Sequence, residues 1–135
     1  MVRIALWLIC VAFASQCHSL IAAPIHDAVL ANKLDDVKRL VKADSEVVSQ
    51  PDDNSLLPLH YAAVKDHAKI ITLLLESGAK VDATTKSGYT PLHLACSEGK
   101  RKAVAALLTG KANVNSTDTK KYTPLHHAVE GNYIE

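Results

Sequence analysis

A chain of 135 residues that is 48% hydrophobic, 21% charged and only 4% aromatic suffices for one modest domain with a core of Leu, Val, Ile and Ala. Fifteen Lys and Arg against fourteen Asp and Glu leave a formal charge of +1, and setting Arg3 aside removes it. No global field points to nucleic acid, an anionic membrane or an acidic substrate, so any charge signal must be local.

At the start, Arg3 precedes an unbroken apolar run of eleven residues, Ile4 to Ala14, followed by small and polar residues. That is the layout of a secretory signal peptide, assigned to residues 1–19. A bilayer-spanning helix needs about 20 apolar residues. Extending the run to Ala23 would bury Ser15, Gln16, Cys17, His18 and Ser19, so a retained signal anchor is the alternative, and only then is a membrane expected. Cleavage is expected near residues 17–19, where Ser15-Gln16-Cys17 and Cys17-His18-Ser19 place small residues one and three positions before the cut. Pro24 disfavours a cut after Ala23. Cys10 and Cys17 then leave with the signal, Cys96 has no intramolecular disulfide partner, and packing alone must hold the domain.

The remainder is periodic. Prolines at 24, 58, 91 and 124 are spaced 34, 33 and 33 residues apart, and each opens a Pro-apolar-His. Pairs of small residues follow at a fixed offset: Ala28-Val29, Ala62-Ala63, Ala95-Cys96 and Ala128-Val129. Second apolar clusters, "VKRLV", "IITLLL" and "AVAALL", complete three of the units. The units are assigned as a divergent first at residues 20–57, then 58–90, 91–123 and a partial fourth at 124–135. Thr90 and Thr123 suit a helix N-cap, with proline at the first helical position. The pattern predicts one helix from Pro58 to about Asp66 and a second from Ala68 to about Ser77, stopped by Gly78, with Ile70, Ile71, Leu74 and Leu75 on one face. The small pairs let a neighbouring unit approach, and each unit is incomplete until stacked.

"TPLHLACSEGKRKAVAALLTGKANVNS", with its Thr-Pro-Leu-His and 33-residue period, resembles the ankyrin repeat, and the resemblance runs from Ala23 to the end. It implies an all-α solenoid of paired helices joined by hairpin-like loops. Three departures stand out: "DSEV" with one extra residue in the first unit, Lys121 where Gly88 stands one unit earlier, and an ending at "EGNYIE". That ending supplies half a unit, so either a longer array or an uncapped end completed by self-association or by a partner is expected.

Seven histidines invite a metal reading. Equivalent positions in stacked units lie roughly 8–10 Å apart, whereas ligands of one Zn²⁺ each sit about 2 Å from it. The ladder His26, His60, His93, His126 is therefore expected to bond to the hydroxyls and backbone of the helix starts. Cys96 falls at a packing position, Asp52-Asp53 at a hairpin tip, and the sequence contains neither a phosphate-binding glycine loop nor H-E-x-x-H. No enzyme activity, cofactor or metal is expected. Asn115-Ser116-Thr117 is a glycosylation acceptor in a host that uses one.

Charge is graded. Residues 24–57 hold four Lys/Arg and seven Asp/Glu, whereas residues 91–123 hold six and two. Lys100, Arg101 and Lys102 open a helix whose dipole they oppose. The resemblance implies a protein-protein interaction module, here secreted or periplasmic, whose partner is a protein and not nucleic acid. Candidate contacts are the variable positions: on the first helices Asp27, Tyr61, Lys65, Leu94, Glu98 and His127, and on the loops Asp53, Asn54, Lys86, Ser87, Thr119 and Lys120. Tyr61 carries the most weight, as a rigid aromatic with a hydroxyl.

Overall fold

The computed structural model describes residues 25–133, so the signal segment expected at residues 1–19 lies outside the described residues. Within the described residues α1 covers 25–30, α2 Leu34–Ala43, α3 Pro58–Val64, α4 Ala68–Glu76, α5 Pro91–Ser97, α6 Arg101–Thr109 and α7 Pro124–Glu130, with a 3-10 turn at Ser45–Ser49. Among them there is no strand, and no helix is long and apolar enough to cross a membrane. The two helices expected in residues 58–90 form, each ending within two residues of its expected stop.

The first helices α3, α5 and α7 start by one device. The Thr90 hydroxyl accepts the His93 N–H at 3.3 Å while the Thr90 N–H donates to His93 Nδ1 at 3.2 Å. This is a capping box with imidazole in the place of the usual glutamate. The N–H of Leu57 and that of Thr123 donate to Nδ1 of His60 and of His126, both at 3.1 Å. Leu57 has no hydroxyl, so α3 keeps only the imidazole half.

The helix ends repeat as well. Asn32, Asp66, Gly99 and Asn132 take φ of 54°, 60°, 62° and 59° directly after the first helices. The next N–H closes each end, as Lys33 to Ala28, His67 to Ala62, Lys100 to Ala95 and Tyr133 to Ala128. These are Schellman ends, which tolerate Asn or Asp where Gly is most common. The second helices stop the same way at Gly78 and at Lys111, with φ 94° and 64°. In the later unit glycine stands one place earlier, at Gly110, where a Cβ would crowd the Leu75 side chain.

Stacking supplies the core. α5 lies between α3 and α7, α4 packs on α6, and α2 packs on α4. Ala62, Ala63 and Ala95 are fully buried at the close approaches, and Leu59, Ile70, Ile71, Leu74, Leu92 and Leu107 fill the space between. In the first unit "DSEV" folds as the 3-10 turn, capped by the Asp44 carboxylate accepting the Glu46 N–H at 2.9 Å, and it buries Val47 and Val48. The cationic start of α6 is also compensated: Asp66 of the preceding unit accepts the Ala103 N–H at 2.7 Å, which puts an anion at the positive end of the helix.

Candidate protein-binding face

Three loops carry one geometry. Asp52, Thr85 and Asp118 each donate an N–H across the hairpin, to the carbonyls of Leu56, Tyr89 and Tyr122 at 2.9, 3.0 and 2.9 Å. Ser55, Gly88 and Lys121 sit at the turn with φ of 63°, 78° and 68°. Lys121 thus adopts the left-handed conformation of the glycine it replaces. At this site glycine answers a second demand: a Cβ on Gly88 would lie 3.0 Å from the Thr119 nitrogen of the next tip.

Two of these loops are latched to the following first helix by aspartate. Asp52 Oδ1 accepts the N–H groups of Asn54 and Leu56 at 2.9 and 2.8 Å, and its Oδ2 accepts the Tyr61 hydroxyl at 2.5 Å. Asp118 accepts the N–H groups of Lys120 and Tyr122 at 2.8 and 2.9 Å, and its other oxygen meets His127 Nε2 at 2.9 Å. Tyr61 and His127 occupy the same position one repeat pair apart. Burial pushes the Asp52 carboxyl up, but the bonds from Tyr61, Leu56 and Asn54 outweigh it and hold the group below the usual carboxylate range. Asp118 behaves alike: burial acts upward, while Tyr122, His127 and Lys120 bring it below. The Tyr61 hydroxyl is raised, first by the bond to Asp52 and then by burial.

The histidine ladder does more than the helix starts require. Nδ1 serves the local N–H as expected, but Nε2 reaches into the next loop: His26 to the Leu56 carbonyl at 3.1 Å, His60 to Ala83 at 3.1 Å and His93 to Tyr122 at 3.0 Å. An Nδ1 that accepts and an Nε2 that donates define the neutral Nε2–H form. Burial, the largest influence, holds His60 and His93 below the ordinary histidine value against the carbonyl bonds that act the other way. Both nitrogens of these two rings are therefore occupied by protein groups. Cys96 is half-buried, and burial raises its thiol, which leaves it a packing group of low reactivity.

None of the twelve candidate contacts is buried. Tyr61 and Leu94 are partly buried along the first helices, the His127 side chain keeps only 11% of its surface exposed, and Asp27, Lys65, Glu98, Asp53, Asn54, Lys86, Ser87, Thr119 and Lys120 are exposed. The structure joins Ser87 to Thr119, whose N–H donates to the Ser87 carbonyl at 3.2 Å. Asp27, Lys65 and Glu98 stand apart from those tips on the helices. Tyr61 differs from expectation: its hydroxyl is spent on Asp52, and its ring meets His26 edge to face at 5.5 Å. It offers a partner the ring and not the hydroxyl, because the loop carboxylate is nearer than any solvent-side acceptor.

The sequence reading missed an aromatic strip beside the later tips. Tyr89 meets His93 and His127 at ring separations of 6.0 and 5.4 Å, and Tyr122 stacks on His126 at 5.7 Å with 19° between planes. The signal was present, since Tyr89 and Tyr122 are two of only four tyrosines and lie one period apart, each just before a Thr-Pro.

A family model described as ankyrin repeats (3 copies) matches residues 3–85, 25–118 and 80–135. A putative ankyrin repeat protein of Neisseria meningitidis serogroup B is 34% identical over 59 residues, 44% of this chain and 23% of that protein. Ankyrin repeat domain-containing protein 39 of Homo sapiens is 44% identical over 61 residues, covering 45% and 33%. Protein phosphatase 1 regulatory subunit 27 of Homo sapiens is 38% identical over 66 residues, covering 49% and 42%. The chain spans less than half the length of these relatives.

Proposed function

We propose, from the premise that this chain belongs to the ankyrin-repeat family, that it works as a secreted or periplasmic protein-binding module without catalytic activity of its own. The family's repeats serve as protein-protein interaction modules. The observation that carries the reading is the division of labour on the repeats. Consensus positions such as Leu59, His60, Leu92 and His93 are buried, while the twelve variable positions, on the first helices, their ends and the hairpin tips, are none of them buried. A face of mostly exposed side chains, held in place where Tyr61 and His127 are latched to Asp52 and Asp118, is preorganised for a partner. The inert setting of Cys96 and the occupied nitrogens of His60 and His93 support the non-catalytic part.

Secretion is supported by the apolar run after Arg3. Self-association through α7 belongs to the same proposal, supported by Leu125 and Val129, which are exposed where Leu59 and Leu92 are covered. Photo-crosslinkers placed at Leu94 and His127 should capture the native partner, and those at Thr72 and Thr109 on the second helices should not; capture from the second helices alone would overturn the assigned face. Mass analysis of the native protein should find a chain beginning near His18 or Leu20, whereas an intact N-terminus in a membrane fraction would replace secretion by tethering.

A further inference from the structure

We infer that the second and third hairpin tips form a docking site for an extended acidic peptide segment. The inference rests on the binding face proposed above and names the chemistry that face takes. The bond from Thr119 to the Ser87 carbonyl ties the two tips backbone to backbone. Lys86 immediately precedes one bonded residue, and Lys120 and Lys121 immediately follow the other. Three exposed ammonium groups are thus carried on one short, internally fixed platform. None of the three forms an ion pair among the described residues. The carboxylate built into the third tip, Asp118, is already committed to Lys120 N–H, Tyr122 N–H and His127, so it offers the lysine side chains no partner of its own to hold.

Beside these cations, exposed Tyr122 lies flat on exposed His126 and offers a planar apolar surface. The first tip has the opposite character, with exposed Asp53 and Asn54 over the latched Asp52. An acidic segment is attracted to the later tips and repelled by the first, which sets its position along the array. Successive units repeat at roughly 8–10 Å, and an extended polyproline II chain rises about 3.1 Å per residue with three residues per turn. Carboxylates three residues apart therefore lie along one edge of the segment and meet successive tips, while an apolar side chain between them, on a neighbouring edge, reaches the Tyr122 ring.

The test uses the whole mature chain and a fluorescein-labelled decapeptide with Glu at every third position and one Phe, beside the same peptide with Gln. Anisotropy should show the Glu peptide binding about tenfold more tightly, with affinity falling several-fold as salt rises from about 0.05 to 0.2 M. Lys86→Glu and Lys120→Glu, each on an exposed tip and checked for fold by circular dichroism, should each weaken it several-fold. Lys38→Glu on α2 should leave it unchanged. Equal binding of the Gln peptide, no binding of either, or insensitivity to the tip lysines overturns the inference. So does tighter, lysine-dependent binding of a single-stranded oligonucleotide or of phosphatidylserine vesicles. Loss of the native partner on Leu94→Arg but not on tip charge reversal would retain the binding face and discard the acidic peptide. Peptide binding that persists in Leu94→Arg, with the native partner also unaffected, would discard the wider face and keep this site.

Discussion

The second unit and the last begin with nearly the same letters and reach opposite environments. Leu59 and Leu92 are 0% and 2% exposed, but their counterpart Leu125 is 65% exposed. His60 and His93 are buried where His126 is open, although the bond that starts the helix measures 3.1, 3.2 and 3.1 Å in the three. Ala62 and Ala63 vanish under a neighbour, whereas Val129 is 52% exposed. Local hydrogen bonding is thus independent of position in the stack, and burial is not. The Pro-Leu-His letters specify a helix start everywhere, but stabilise the array only where a unit lies on each side.

The contrast is sharpest in a pair of leucines. Leu92→Ala should destabilise the chain by about 2–5 kcal/mol, through lost burial and the cavity left behind. Leu125→Ala should change the stability of the dilute, monomeric chain by no more than about 0.5 kcal/mol. Urea unfolding measures both, and equal costs would mean that α7 is covered in solution. A second pair works by overfilling: Ala62→Leu should cost about 1–3 kcal/mol by forcing α3 from its neighbour, while Ala128→Leu, half-exposed on α7, should stay within about 0.5 kcal/mol.

The caps give a smaller effect. Thr90→Ala removes the hydroxyl that receives the His93 N–H and should cost about 1 kcal/mol. Leu57→Thr would install that hydroxyl in α3 and should recover part of the same amount, read as a shift of the urea midpoint.

The buried histidines and the latch aspartates give a pH profile. His60 and His93 are both held below the ordinary value of 6.5, so the unfolded chain takes up protons first as pH falls. Their contribution is complete above that value and is lost below it. Asp52 and Asp118 are also depressed, from an ordinary 3.8, so their stabilisation is present above that value and is lost as pH falls through their folded values. The melting temperature should therefore decline in two stages. His93→Gln should flatten the first and Asp118→Asn the second; an unchanged first stage in His93→Gln would remove that histidine from the account.

Much of the fold was legible because its signals are local and repeated. Proline with a preceding threonine fixes a helix start, and the 33-residue period fixes the order of units. Other features were less legible. The expectation that the histidines bond at the helix starts covers Nδ1 alone, since Nε2 finds carbonyls 23 to 30 residues away. Tyr61 looked like a free anchor until the loop nine residues before it supplied Asp52. The repeat letters gave no hint that tips two and three are bonded together, which turns separate lysines into one patch.

The sequence by itself determined where helices start and stop, which positions are small, and how often the pattern recurs, because caps, proline geometry and apolar periodicity act over a few residues. Tertiary structure alone decided which copies of those residues are buried, which carboxylate receives which hydroxyl or ring, and which charges stand together. Those outcomes depend on the unit stacked next door, and the distance between two side chains across an interface is not written in the spacing of either one.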